Sequence, residues 1–100
     1  MIPHRIHRDA ETEFWEAAAY YEEKVPGLAL EFIAEVEEAF EAIKADPRRW
    51  PIREHGARRY NLDHFPHYIA YVDRTDHVWI VAIAHGRRRP GYWKARFHGH

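Results

Sequence analysis

From Ala10 onward the apolar positions recur at helical intervals. Ala10, Phe14, Ala17, Ala18 and Tyr21 form one stripe with acidic and polar residues between them, which predicts a helix over about 10–24. Asp9 is the expected N-cap, with Glu11 and Glu13 placed in the first turn to complement the helix dipole. The "VPG" at 25–27 interrupts the pattern, because proline removes a donor and glycine accepts unusual backbone angles. A second stripe follows: Leu28, Ala29, Phe32, Ile33, Val36, Ala39, Phe40 and Ile43 predict a helix over 28–45, ended by Asp46 before Pro47. Two helices joined by so short a turn are expected to pair as an antiparallel hairpin.

The remaining segments read differently. "MIPHRIHR" alternates loosely, with Ile2, His4 and Ile6 on one side of a short strand, while "PRRWPIREHGA" at 47–57 has no sustained period and reads as a long loop. Three strands are expected at 58–62, 67–73 and 78–85; the last is apolar on both faces, which places it centrally in the sheet. The order β-α-α-β-β-β predicts an α+β fold, with the helical hairpin packed on one face of a mainly antiparallel four-stranded sheet. The other face is expected to stay partly open, with basic residues on it and its rims. One hundred residues, 46% of them hydrophobic, suit one domain over 1–100 that buries roughly 60–65% of its unfolded surface.

Composition narrows the chemistry. With no cysteine, neither a disulfide nor a thiolate metal site is available, and nothing calls for an oxidising compartment. The longest apolar run, 78–84, is far short of the ~20 residues of a membrane span, and the polar start lacks the apolar core of a signal peptide, so a cytoplasmic protein with no membrane partner is expected. A formal net charge of -1 hides a strong asymmetry. Residues 9–46 carry twelve acids against Lys24 and Lys44, whereas the other segments carry thirteen of the fifteen lysines and arginines against four acids. Such segregation gives the basic half a local potential suited to a polyanion or an acidic partner.

The element order, combined with "YYEEKVPGLALEFIAEVEEAF", "PRRWP", "FPHYIAYV" and "AIAHGRRRPGYW", closely resembles the RelE/ParE superfamily of type II toxin-antitoxin toxins over nearly the whole chain. The resemblance implies a small toxin that inhibits growth and is silenced by a cognate antitoxin. One branch of the superfamily cleaves ribosome-bound messenger RNA and another poisons DNA gyrase. Messenger cleavage without a metal needs a group to activate the ribose 2′-hydroxyl, cations for the pentacoordinate phosphate and a proton donor for the leaving oxygen. Arg87 matches the position of that branch's phosphate-stabilising arginine, Tyr92 lies near its terminal tyrosine, and His85 is a titratable alternative; these three are the catalytic candidates. "NLDHF" departs from the nuclease pattern, with Asp63 where a basic residue is expected. A non-toxic binding module of the same fold is the alternative reading.

Arg58, Arg59, Arg88, Arg89, Lys94 and Arg96 complete the candidate surface for nucleic acid or a protein partner, since phosphates and acidic side chains both suit guanidinium groups. His85 equally suits a strand-end role, hydrogen-bonded to backbone, and Trp93 and Trp50 are expected to pack rather than to react. The nine histidines show no ligand spacing, so neither a metal nor a cofactor is expected, and "HGH" at 98–100 reads as a tail.

Overall fold

The computed structural model describes residues 2–97. Strand β1 (His4–Ile6) leads into helices α1 (Arg8–Lys24) and α2 (Leu28–Ala45); β2 (Arg58–Asn61), β3 (His67–Asp73) and β4 (Val78–His85) follow. Short 3-10 turns lie at Glu54–Gly56 and Lys94–Phe97. The sheet runs β1-β4-β3-β2, parallel between β1 and β4 and antiparallel elsewhere. This is the expected α+β arrangement, with β4 inside the sheet.

Both helices follow their apolar stripes. On α2, Phe32, Val36, Ala39 and Ile43 are buried; α1 contributes Ala10 and Ala18, with Phe14, Ala17 and Tyr21 partly covered. Against them pack Ile69 and Tyr71 of β3 and Val78, Ile80 and Ile83 of β4. Each large aliphatic or aromatic side chain so buried contributes about 1.5–3 kcal/mol. The turn between the helices is closed by Glu22, whose carboxylate accepts from Gly27 N at 3.1 Å and Ala29 N at 3.2 Å. Gly27 has φ +90°, a conformation costly for any residue with a Cβ.

Three expectations change. First, α1 begins at Arg8 instead of about Ala10: His7, not Asp9, is the N-cap, and its Nδ1 accepts from Asp9 N at 3.0 Å. His7 N closes the β1–β4 ladder on Ile80 O (2.9 Å), so the chain must turn into the helix there. Second, the strand expected over 1–8 is paired only at 4–6. Third, the second sheet face is covered. Tyr68, Ala70, Trp79, Val81, Ala82 and Ala84 form a second core with Trp93, and Tyr92 and Phe97 pack against it. The chain after the last strand folds back across the sheet because it carries these large aromatics, and burying them outweighs leaving a three-arginine exit straight in solvent.

β4 carries one irregularity. Ala70 pairs with Ala82 but Tyr71 pairs with Ile80, leaving Val81 as the extra residue of a β-bulge. Val81 and Ala82 therefore both belong to the second core, while Ile80 and Ile83 belong to the first.

Among the described residues no helix is long and apolar enough to cross a membrane. The tail at 98–100 lies outside the described residues.

Candidate functional site

The turn after β4 and the segment that follows it bring three predicted residues to one cleft. Its volume is about 310 Å³, and its walls include Glu13, Ala17 and Tyr21 of α1, His67 of β3, Ile83 and His85 of β4, and Arg88 and Tyr92 beyond the strand. His85 ends the strand with its Nδ1 accepting from Arg87 N at 3.0 Å, the backbone role foreseen for it. Its ring stands edge-on to His67, with centroids 5.1 Å apart. His67 is buried, with Tyr21 Oη 3.3 Å from its Nδ1. Burial, reinforced by the nearby His85, pushes the His67 pKa down to about 4, so this imidazole is neutral at physiological pH.

Tyr92 is fixed on both sides. The Arg88 guanidinium lies 3.8 Å from its ring centroid, and its hydroxyl donates to Glu13 Oε2 at 2.5 Å. Burial first, and then the Glu13 hydrogen bond and charge, hold the phenol far above its ordinary range. Glu13 is the hub of the site: it also accepts from Ile83 N (3.0 Å) and from both terminal nitrogens of Arg96 (3.1 and 2.9 Å). Arg96 gives a further bond to Val81 O at 3.0 Å. The guanidinium stays charged despite burial because Glu13 sits beside it.

The other candidates scatter. Arg87, Arg89 and Lys94 are exposed, the first two on the rim formed by the β4 exit. Arg58 is half-buried, donating from Nε to Asp73 Oδ1 (2.9 Å) and from Nη1 to Trp50 O (2.7 Å), which ties β2 to the loop before it. Arg59 lies over Tyr68 at 3.8 Å and donates to Asn61 Oδ1. Neither Arg58 nor Arg59 lines the cleft. Trp93 is fully buried, donating from Nε1 to Tyr68 Oη at 3.1 Å, and Trp50 packs on Tyr60, as expected of both. Asp63 is exposed; its backbone N donates to Glu35, whose carboxylate also takes His64 N and His64 Nδ1.

Glu13 and His67 were missed by the sequence reading. Glu13 has a signal in retrospect, since it falls between Ala10 and Ala17 on the flank of the apolar stripe, an unusual place for a solvated acid. For His67, at the start of a strand among eight other histidines, no local signal distinguishes it.

The tail of the site depends on one glycine. Gly91 has φ +77°, and a Cβ there would lie 2.6 Å from His55 Cδ2, inside the imidazole that also packs on Trp93. Gly91→Ala is expected to lower stability by about 1–2 kcal/mol for the left-handed backbone alone, and further for the clash. Adding His55→Ala should recover the second part only; equal losses for the single and double variants in chemical denaturation would refute the clash.

The family model described as the ParE toxin of the type II toxin-antitoxin system parDE matches residues 5–90. No curated protein matches the chain.

Proposed function

Since the chain belongs to the ParE toxin family of type II toxin-antitoxin systems, a family that implies an antitoxin partner, we propose that it arrests growth by binding and inhibiting DNA gyrase, not by cutting RNA. The observation that carries this reading is the use of Glu13. Its carboxylate takes the Tyr92 hydroxyl and the Arg96 guanidinium together, so the terminal tyrosine is a hydrogen-bonded packing group instead of an available proton donor. A nuclease centre needs accessible cations around a pentacoordinate phosphate. Here the cleft has a carboxylate at its base, which would repel that phosphate, and Arg58 and Arg59 are engaged elsewhere.

The exposed Arg87 and Arg89, with Arg88 held over Tyr92, instead form a basic rim beside a shallow cleft, suited to an acidic protein surface. Inducible expression in a bacterial host tests the reading. Growth should stop while transcripts stay intact, and co-expression of the antitoxin should restore growth. Messenger cleavage at ribosomal A sites would overturn it, as would harmless expression of the folded protein.

A further inference from the structure

Among the described residues, four of the five large apolar side chains that stand exposed lie on the helical hairpin: Trp15, Tyr20, Val25 and Leu30. This is also the half of the chain that carries twelve acids against two lysines. A solvated acidic face has no need of a tryptophan, and an aromatic left in water forgoes the stabilisation that burial gives.

On α1 these aromatics frame a second stripe, opposite the one that faces the core. Thr12, Glu16, Ala19 and Glu23 follow helical spacing and all are exposed, with Trp15 on one flank and Tyr20 on the other. Glu11, Thr12, Trp15, Glu16 and Ala19 line a shallow groove of about 450 Å³ there. Ala19, with only a methyl group, lets another backbone come close. The acids of the groove are available: Glu13 is paired with Arg96 and Glu41 with Lys44, whereas Glu11 and Glu16 have no ion-pair partner among the described residues. Lys24 Nζ lies 5.0 Å from the Tyr20 ring centroid, so the flank of this face already holds a cation of the chain itself.

We propose that the outer face of α1 seats a basic amphipathic helix of the antitoxin, with its apolar side chains on Trp15 and Ala19 and its lysines or arginines over Glu11 and Glu16. Charge selects the occupant. An acidic segment would be repelled by Glu11, Glu16 and Glu23, and the surface proposed for gyrase is the basic rim after β4, which calls for the opposite chemistry. The antitoxin is the further protein partner that the family implies. α1 has 17 residues, roughly 25 Å of axis along which a partner helix can lie. The inference rests on membership of the family and not on the gyrase reading.

Calorimetric titration of the folded chain with the purified antitoxin, the product of the reading frame beside the toxin's own, tests this. Trp15→Ala and Glu16→Lys should each weaken binding at least roughly tenfold, and added salt should weaken it further. Glu37→Lys makes the same charge change on an exposed acid of α2 outside the groove and should leave the affinity within about twofold. Without antitoxin, Trp15→Ala should still arrest growth, which separates docking from toxicity. Circular dichroism checks that each variant is folded; should Glu16→Lys not fold, Glu16→Gln takes its place. Affinity that either groove variant leaves unchanged, tighter binding by Glu16→Lys, or a loss as large for Glu37→Lys would overturn the proposal, as would an unaltered chain that does not bind.

Discussion

Trp93→Ala is expected to cost about 3–5 kcal/mol of unfolding free energy. The indole is 1% exposed, and it is the largest fully buried side chain. It lies between Tyr68, which accepts its Nε1 hydrogen bond, Phe97, stacked 5.8 Å away, and the edge of His55. Truncation removes the apolar surface, leaves a cavity on the second sheet face and takes the partner of the Tyr68 hydroxyl. A matched control is Trp15→Ala: that side chain is 54% exposed on α1, and its loss should stay within about 0.5 kcal/mol. Urea denaturation of the two variants separates these outcomes. Equal, small losses would mean that the segment after Gly91 does not cover the sheet.

Lowering the pH should destabilise the protein through His67. Its folded pKa is about 4, against an ordinary 6.5. Between those values the unfolded chain binds a proton that the folded chain refuses, so stability is fully present above about pH 6.5 and falls as the pH drops towards 4. At 1.36 kcal/mol per unit, the share of this one group is about 3 kcal/mol, levelling off below pH 4. His67→Gln keeps a polar partner for Tyr21 but has nothing to protonate. The variant's stability should therefore decline less than that of the unaltered chain between pH 7 and pH 4. Parallel pH profiles, followed by denaturation midpoints, would show that His67 protonates freely in the fold.

How much of this was readable beforehand depends on whether the cause was local. The α2 stripe from Leu28 to Ile43, the break at Pro26-Gly27 and the doubly apolar Val78–Ala84 run are local periodicities, and the structure follows them. The N-cap moved from Asp9 to His7 because a ladder bond to Ile80, far along the chain, decides where β1 stops. The closed second face could not be read from alternation in β3 and β4, since its cover comes from Tyr92, Trp93 and Phe97 after a turn whose direction depends on Gly91. The candidate cleft was half legible. His85, Arg88 and Tyr92 cluster in the sequence as they do in space, but their anchor, Glu13, comes from the acidic helix, where the sequence pattern placed it only as a first-turn acid. That same anchor changes the chemistry of the site, turning a tyrosine and an arginine that look catalytic into the seam between α1, β4 and the C-terminal segment.

The most direct test of the central claim is a supercoiling assay with purified DNA gyrase and the purified chain. Inhibition that rises with toxin concentration, is relieved by the antitoxin and weakens when Arg87, Arg88 and Arg89 are together replaced by alanine is the predicted result. Unaltered gyrase activity, with a protein that still arrests growth, would contradict it.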